Sequence, residues 1–224
     1  MPVPVLIWIG FGVVSLLAGT TLAWDKIQIA LRGQRLAVLG ARGVGKTHLI
    51  KFLTTGSIPL EYKQTLAPGK IDAKRLQLRD LDLKVKDMLD VSGDKAAYGD
   101  WKEQHDQADI VFYLLRADKL ISKDPATESR VRADLTHIGS WLTGKHPRPK
   151  FFIVGTHCDL DNEFANFSDK NFGDYRDRFQ RLPVISELVA HGGGSQQAKV
   201  VLGSMKTVEG TEALVYQIFR QVNT

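Results

Sequence analysis

The pattern of apolar and polar residues divides this chain into two unequal parts. In residues 2–24 no side chain is charged, and nearly every residue is apolar. From residue 35 onward, short apolar runs alternate with segments in which apolar residues recur at helical spacing. Strands that alternate with helices in this order predict an α/β domain with a mostly parallel sheet.

The periodicity of the second part predicts its individual elements. Apolar runs predict buried strands at 35–40, 109–115, 150–155 and 199–203. Helical spacing predicts helices at 46–54 and near 127–142, 175–190 and 208–221. Alternating residues at 71–79 and 82–91, on either side of Asp80 and Leu81, predict a β-hairpin. We therefore expect a six-stranded sheet with one antiparallel edge strand and with helices on both faces.

Three long segments carry no clear periodicity and are predicted to be loops, at 55–70, 92–108 and 159–174. Long loops in a compact α/β domain usually serve a function. The last one and its border contain four aromatic residues, Phe164, Phe167, Phe172 and Tyr175. These rings form either a docking surface or a small cluster packed against the domain, and we favour the cluster.

The first part of the chain is long enough to cross a membrane. About 22 helical residues span about 33 Å, and the hydrocarbon core of a bilayer is about 30 Å thick. A cleaved signal peptide needs a positively charged start, but the first 24 residues contain no Lys or Arg. A buried core helix usually keeps a polar stripe, which this segment lacks. We predict a transmembrane anchor at residues 1–25, with Trp8 and Trp24 suited to the membrane interfaces.

The charges beside this anchor predict its orientation. Lys26, Arg32, Arg35 and Arg42 follow the apolar segment, and only the α-amino group precedes it. Because basic flanks stay on the cytoplasmic side, we expect the N-terminus outside and a domain at 35–224 in the cytoplasm. The connector at 26–34 is short, so the domain would lie close to the lipid bilayer.

Composition excludes several classes of protein. The single cysteine, Cys158, rules out an internal disulfide and a cysteine-based zinc site. The six histidines form no HExxH pattern, which gives little support to a metalloenzyme. The net charge of +5 is spread over 224 residues without a basic run, so we expect no nucleic-acid partner. An anionic membrane or a phosphate ligand fits this charge equally well.

A glycine-rich loop lies between the first predicted strand and the first predicted helix. Residues 40–47 (GARGVGKT) match the pattern GxxxxGK[ST] in full. Glycines let successive backbone N–H groups point at phosphate oxygens, and the helix N-terminus adds its dipole. In such a loop Lys46 supplies a charge to the β- and γ-phosphates, and the Thr47 hydroxyl ligates Mg²⁺.

Two further features are typical of a nucleotide switch. Asp90 ends the second hairpin strand, and residues 90–93 (DVSG) match the pattern DxxG. In a switch, such an aspartate holds Mg²⁺ through water, and the glycine N–H meets the γ-phosphate. Thr65 stands 19 residues after Lys46, the distance at which a switch threonine closes over the γ-phosphate and completes the Mg²⁺ shell. The alternative for Thr65 is an ordinary loop threonine.

Two other loops follow apolar strands at their carboxyl ends, where α/β sheets bind ligands. They are residues 156–159 (THCD) and residues 203–206 (GSMK). The carboxylate of Asp159 can accept hydrogen bonds from both N1–H and the amino group of guanine, which adenine does not offer together. A backbone N–H of the second loop can meet the guanine carbonyl oxygen. These loops favour guanine as the base.

Together these motifs resemble those of small Ras-like GTPases of the P-loop superfamily, over residues 34–222. GARGVGKT is similar to their phosphate loop, Thr65 to their first switch, DVSG to their second switch, THCD to their NKxD guanine motif and GSMK to their SAK motif. The THxD variant also occurs in Roc-type GTPase domains. The layout of one apolar span before such a domain resembles the β subunit of the signal-recognition-particle receptor.

The resemblance implies that GTP and GDP are the ligands, with Mg²⁺ as cofactor. It implies catalytic roles for Lys46, Thr65, Gly93 and Asp94, and metal binding by Thr47, Thr65 and Asp90. It implies nucleotide contacts by Gly40, Arg42, Gly43, Val44, Gly45, Lys46, Thr47, His48, Thr156, His157, Asp159, Ser204, Met205 and Lys206.

The chain departs from the Ras-like pattern at three positions. Asp94 follows Gly93, where Ras-like proteins usually carry the glutamine that orients the attacking water, so hydrolysis should be slow. Arg42 replaces a glycine; it points to solvent, crowds an incoming arginine finger or serves as one, and we favour solvent. Thr156 replaces an asparagine that braces the phosphate loop, and a hydroxyl can supply only part of that bonding.

The function that these observations favour is a membrane-anchored GTP-binding switch with slow GTP hydrolysis. Such a switch recruits effector proteins when GTP is bound, and a GTPase-activating protein is a second partner it implies. The alternative is a non-hydrolysing scaffold or adaptor in which bound GTP is structural. An ATP-dependent P-loop enzyme is disfavoured by Asp159 and by the lack of a second acidic residue beside Asp90.

Overall fold

The computed structural model describes residues 34–55, 69–70, 75–76, 83–84, 89–90, 98–144, 147–165 and 169–222. The strands are β1 (Leu36–Gly40), β2 (Gly69–Lys70), β3 (Arg75–Leu76), β4 (Leu83–Lys84), β5 (Leu89–Asp90), β6 (Ile110–Arg116), β7 (Lys150–Thr156) and β8 (Ala198–Leu202). The helices are α1 (Lys46–Thr55), α2 (Tyr98–Gln107), α3 (Ala117–Ile121), α4 (Pro125–Gly144), α5 (Asn162–Ala165), α6 (Asp169–Gln180), α7 (Pro183–His191) and α8 (Val208–Arg220). A short 3₁₀ helix lies at Cys158–Leu160.

The apolar runs form the central sheet. Its order is β1-β6-β7-β8, and every pairing in it is parallel. Gly40 lies opposite Leu114, and Arg116 lies opposite Thr156. The four predicted buried strands are therefore confirmed. Because they are parallel, their carboxyl ends meet at one edge of the sheet, as in other α/β folds with a ligand at that edge.

Both faces of this sheet are buried. Alternate residues of β6 point to opposite sides, so Ile110, Phe112 and Leu114 join one apolar cluster, and Val111, Tyr113 and Leu115 join the other. Helices α1 and α8 contribute to the first cluster, while α2, α4 and α7 contribute to the second. The prediction of helices on both faces is confirmed, which suits strands that are apolar throughout.

The predicted hairpin is present, but it does not extend the central sheet. Gly69 pairs with Asp90 and Leu76 pairs with Leu83 in antiparallel ladders that share one register. In the described residues the parallel sheet has four strands, β2 pairs only with β5, and β3 pairs only with β4. The expected six-stranded sheet is thus wrong for this part of the chain. Apolar and polar residues alternate along the hairpin strands, so only one face of the hairpin is apolar. The parallel strands, in contrast, are apolar on both faces.

Two predicted boundaries need correction. The single helix expected near 175–190 is two helices, α6 and α7, because Pro183 begins α7 and Leu182 before it is extended, with ψ 132°. The segment 92–108, expected as a loop, contains α2. That helix has few apolar residues, and its formation depends on the burial of Trp101 and His105, both 0% exposed.

The loop expected at 159–174 also contains helical structure, from Cys158–Leu160 through α5 to the start of α6. Phe164 is half-buried, and its ring centroid lies 5.4 Å from that of Tyr175, which is 1% exposed. These two rings form the predicted cluster against the domain. Phe167 and the side chain of Phe172 lie outside what the structure describes.

The predicted anchor at residues 1–25 and nearly all of the connector lie outside the described residues. Within the described ranges, which begin at residue 34, no helix combines the length and apolar character that a membrane span requires.

Candidate nucleotide-binding site

The predicted motifs meet at the carboxyl edge of the central sheet. The glycine-rich loop continues β1 and leads into α1, the THCD segment continues β7, and the GSMK segment continues β8. The amide of Cys158 donates to the Gly203 carbonyl at 3.3 Å, and the amide of Gly203 donates to the Gly155 carbonyl at 3.0 Å. These bonds tie the last two segments together beside the glycine-rich loop.

The backbone of the glycine-rich loop takes conformations that require glycine. Gly40 has φ 142° and Gly45 has φ 94°, values that L side chains rarely adopt. A Cβ at Gly40 would overlap the carbonyl of Leu114, and one at Gly45 would overlap the methyl group of Met205. Met205, in the GSMK segment, is 7% exposed and covers the loop from the side of β8.

Lys46 is held at the mouth of this loop. Its side chain is 7% exposed, and its ammonium donates to the carbonyls of Gly40 at 2.8 Å and Ala41 at 2.9 Å. A buried ammonium costs free energy unless polar partners compensate it, and here the loop itself provides them. The positive charge is thereby fixed where the sequence predicts a phosphate.

The other loop residues divide into buried and exposed. Val44 is 3% exposed and packs into the core beneath the loop, and Gly43 has open space above it. Arg42 is exposed, which matches the favoured solvent orientation. Thr47 is half-buried at the start of α1, where its hydroxyl oxygen is the hard type of ligand that suits Mg²⁺.

His48, the second residue after Lys46, carries an unsatisfied polar atom. Its Nε2 is buried and has no hydrogen-bond partner among the described residues. Burial, followed by the charge of Lys51, lowers the pKa of His48 below its ordinary value. A buried polar atom without a partner costs free energy, so this position fits a site that a polar ligand completes.

Thr156, the last residue of β7, is fully buried against the glycine-rich loop. Its Oγ1 lies 3.0 Å from the Val44 carbonyl, 3.0 Å from the Leu115 carbonyl and 2.9 Å from Nδ1 of His157. The threonine therefore touches the phosphate loop directly, although one hydroxyl offers only one proton to these neighbours.

His157 follows in a left-handed conformation, with φ 58° and ψ 28°. Its side chain is half-buried, and burial is the main cause that lowers its pKa. The charges of Arg116 and His48 lower the pKa further, while Asp118 and Asp159 raise it.

Asp159 and Ser204 are joined across the two base-binding segments. The Ser204 hydroxyl donates to Oδ1 of Asp159 at 2.6 Å, and the Lys206 amide donates to the Ser204 hydroxyl at 3.1 Å. The Asp159 carboxylate is thereby fixed at the sheet edge with acceptor capacity left for a ligand. Cys158, between His157 and Asp159, is 0% exposed, and burial raises the pKa of its thiol.

One ion pair at this edge, between Arg116 and Asp118, was not predicted from the sequence. Arg116 ends β6, and its Nε and Nη2 donate to the two carboxylate oxygens of Asp118, at 2.7 Å and 2.5 Å. The charge of Asp159 also acts on Arg116 and raises its pKa further. The sequence does offer a signal for Arg116. This residue ends an apolar strand, and the THCD and GSMK segments were predicted as ligand-binding loops from the same kind of position.

The switch residues stay predictions. Thr65, Gly93 and Asp94 lie outside the described residues. Asp90 occupies the last position of β5, opposite Gly69. The structure thus brings the phosphate-loop and base-loop residues together and leaves the switch residues untested.

Two solved structures of small GTPases are similar to this chain. The small COPII coat GTPase SAR1 of Encephalitozoon cuniculi, an ADP-ribosylation-factor-like protein in complex with GDP, is 13% identical with a TM-score of 0.53, over 91% of this chain and 86% of that one. The Arl6 (BBS3) small GTPase of Trypanosoma brucei with bound GppNp is 13% identical, with a TM-score of 0.49. The alignment covers 84% of this chain and 97% of that one. No protein-family model and no curated protein matches the chain. The likeness to SAR1 shows that the chain has the small-GTPase fold.

Proposed function

We propose that this protein is a GTP-binding molecular switch that hydrolyses GTP slowly. The observation that carries the proposal is that Lys46, in its glycine-rich loop, and the Asp159–Ser204 pair lie at the same edge of the sheet. The first group binds phosphates and the second binds a base, so one nucleotide can bridge them. SAR1, whose fold is similar, was solved with GDP.

Guanine is the base that the Asp159 carboxylate fits. Its Oδ1 already accepts the Ser204 hydroxyl, and the remaining lone pairs suit the adjacent N1–H and amino donors of guanine. Adenine presents no such pair of donors, so it would leave a desolvated carboxylate unpaired. A site built to hydrogen-bond one ligand rejects an analogue without those groups strongly.

The phosphates would lie against the loop that ends at Thr47. Lys46 stabilises negative charge on the β- and γ-phosphates, and the loop amides orient their oxygens. Thr47, Asp90 and Thr65 are the residues that would hold Mg²⁺, which when bound neutralises charge on the phosphate oxygens. Asp94, in place of a glutamine, would orient water poorly and add repulsion near the γ-phosphate.

A titration of the full-length chain in detergent micelles tests this nucleotide assignment. Fluorescent GTP and GDP should bind with Mg²⁺, and the corresponding ATP analogue should bind at least about a hundredfold more weakly. Lys46→Ala should abolish binding, whereas Lys51→Ala, an exposed lysine on the same helix, should not. Equal affinities for GTP and ATP would overturn the guanine assignment.

We also place this switch at a membrane, with the N-terminus outside and the domain in the cytoplasm, where GTP would control the binding of effector proteins and a GTPase-activating protein. The uncharged residues 2–24 and the basic flank after them support this proposal. A reporter fused after Thr224 should be cytoplasmic, and the chain should resist carbonate extraction. Release into the soluble fraction, or a mature N-terminus near Ala23, would contradict the anchor.

A non-hydrolysing scaffold is the second candidate, and Asp94 is the residue that favours it. Single-turnover hydrolysis of bound GTP separates the two functions. A slow but measurable release of phosphate supports the switch. Bound GTP that remains intact over many hours, while a partner stays attached, supports the scaffold.

A further inference from the structure

The hydroxyl of Thr156 has three polar neighbours but only one proton to donate. Three polar atoms lie within 3.0 Å of its Oγ1: the carbonyl oxygens of Val44 and Leu115, and Nδ1 of His157. A hydroxyl has one proton to donate and two lone pairs with which to accept. The two carbonyl oxygens can only accept, so the protonation of Nδ1 decides whether the hydroxyl proton is left for them.

Three arrangements of protons are conceivable at this position. If the hydroxyl donates to a carbonyl while Nδ1 is bare, two lone pairs face each other 2.9 Å apart. If the hydroxyl donates to Nδ1, then Oγ1 lies 3.0 Å from two carbonyl oxygens with no proton between them, inside a fully buried cluster. If Nδ1–H donates to Oγ1, the hydroxyl proton remains for the Val44 and Leu115 carbonyls. Only this arrangement makes the histidine contact a hydrogen bond and also leaves the hydroxyl proton to be shared by the two carbonyl oxygens, and buried polar groups that stay unsatisfied are costly.

We propose that His157 is a positioning residue, whose Nδ1–H donates to Thr156 and directs the Thr156 hydroxyl proton to the backbone carbonyls that include Val44 of the phosphate loop. The histidine and threonine together brace this loop from the end of β7. An asparagine at position 156 would carry an N–H donor and a carbonyl acceptor on one side chain. Here two neighbouring side chains, Thr156 and His157, supply the polar groups together. This inference rests on the proposed nucleotide site.

The backbone of His157 suits this role. Its left-handed conformation, with φ 58°, turns the side chain back beside its own neighbour, and few non-glycine residues tolerate that conformation. The charged and titratable groups that act on the ring are Arg116, Asp118, Asp159 and His48. Burial first, and then the charge of Arg116, lowers the pKa of His157, so near pH 7 the ring is mainly neutral and carries one proton. The contacts of Thr156, described above, place that proton on Nδ1.

The first test is the tautomer of His157 in the wild-type chain. Nitrogen NMR of ¹⁵N-histidine-labelled protein in micelles at pH 7.5 distinguishes a protonated Nδ1 from a bare one, and the His157→Asn variant assigns the signal by its loss. We expect a proton on Nδ1. A bare Nδ1 with the proton on Nε2 would overturn the proposal. This measurement needs no nucleotide, so it stands even if the proposed function fails.

The second test is a double-mutant cycle on the dissociation rate of fluorescent GDP. Thr156→Val removes the hydroxyl at equal volume, and His157→Ala removes its donor; each should speed dissociation about tenfold, since a bond of about 1–1.5 kcal/mol corresponds to that factor. Because the histidine acts through the threonine, the double variant should be hardly faster than either single one.

Conservative variants and a surface control complete the cycle. His157→Asn tolerates the left-handed backbone and keeps an N–H donor, so it should recover most of the loss, and Thr156→Ser should be slower to release GDP than Thr156→Val. Thr136→Val on the exposed face of α4 should change nothing. Additive effects of the two single variants, or no recovery in His157→Asn, would overturn the proposal. Failure of the wild type to bind GDP would instead contradict the proposed function.

Discussion

The hydroxyl of Tyr98 donates a 2.6 Å hydrogen bond to the carboxylate of Asp134, whose side chain has no exposed surface. The same carboxylate accepts the Tyr113 hydroxyl at 2.9 Å and Nε of Arg130 at 2.7 Å. This network joins the first residue of α2 to the middle of α4 and to β6. Helix α2 is the next element that the structure describes after Asp90, and its start is fixed by a buried carboxylate with three donors.

Removing one donor from this network should destabilise the fold measurably. Tyr98→Phe deletes only the hydroxyl, and we expect a loss of about 1–3 kcal/mol in the free energy of unfolding, because hydrogen bonds to buried charges lie in this range. Urea denaturation of the wild type and variant measures the difference. Tyr216→Phe, a half-buried tyrosine on α8, is the matched control and should cost much less. Equal losses in both variants would show that the Asp134 bond contributes nothing specific.

The same tyrosine makes stability depend on alkaline pH. Burial first, and then the hydrogen bond and charge of Asp134, raise the pKa of Tyr98 to about 12, above its ordinary value of 10.0. The folded state therefore favours the protonated phenol, so this contribution is complete below about pH 10 and is lost as the pH rises through about 12. Urea midpoints between pH 8 and pH 12 should fall less steeply in Tyr98→Phe than in the wild type. Parallel curves would contradict the shift.

Ser204 should influence affinity for GTP mainly through Asp159. Ser204→Ala removes the 2.6 Å bond that orients the carboxylate, and we expect GTP to bind about 5- to 30-fold more weakly, the equivalent of about 1–2 kcal/mol. Ser140→Ala, on the exposed face of α4, should leave the affinity unchanged. The measurement is a titration with fluorescent GTP. If Asp159→Ala already weakens binding, Ser204→Ala in that background should add little.

The rate of hydrolysis should be limited by Asp94. We expect the wild type to turn over no faster than an unassisted Ras-like domain, roughly 10⁻⁴–10⁻³ s⁻¹. Asp94→Gln should leave GTP affinity nearly unchanged and should speed single-turnover hydrolysis only if Thr65 closes over the site. A wild-type rate near 1 s⁻¹ without a partner would mean that another group, such as Arg42, replaces the glutamine. Arg42→Ala would then slow the reaction.

The parts of the fold that could be predicted are those with a strong local signal. The loop at 40–47 and the strands before THCD and GSMK combine a motif with an uninterrupted apolar run, and both lie where they were expected. Pro183 was a visible stop signal inside the segment that was predicted as one helix. It fixes φ and makes the preceding residue extended, so the break at Leu182 could have been predicted as well.

The buried polar network could not be predicted from a local pattern. Asp134 stands among residues that look like the solvated side of a helix, and only the tertiary arrangement brings Tyr98 and Tyr113 to it. Helix α2 was missed for the same reason, since its burial depends on Trp101 and not on a repeated apolar face. The role of His157 also depends on tertiary structure, because the Val44 carbonyl that Thr156 contacts belongs to a loop more than a hundred residues earlier in the chain.

The single cysteine makes this protein convenient for site-directed labelling. Cys158 is fully buried behind Asp159, and its raised thiol pKa disfavours the reactive thiolate. Maleimide should therefore leave the native chain unmodified, so an engineered surface cysteine can carry a spin label or fluorophore without removal of the natural thiol. The time course of Cys158 modification, measured without any engineered residue, would then report how often the base-binding segments open.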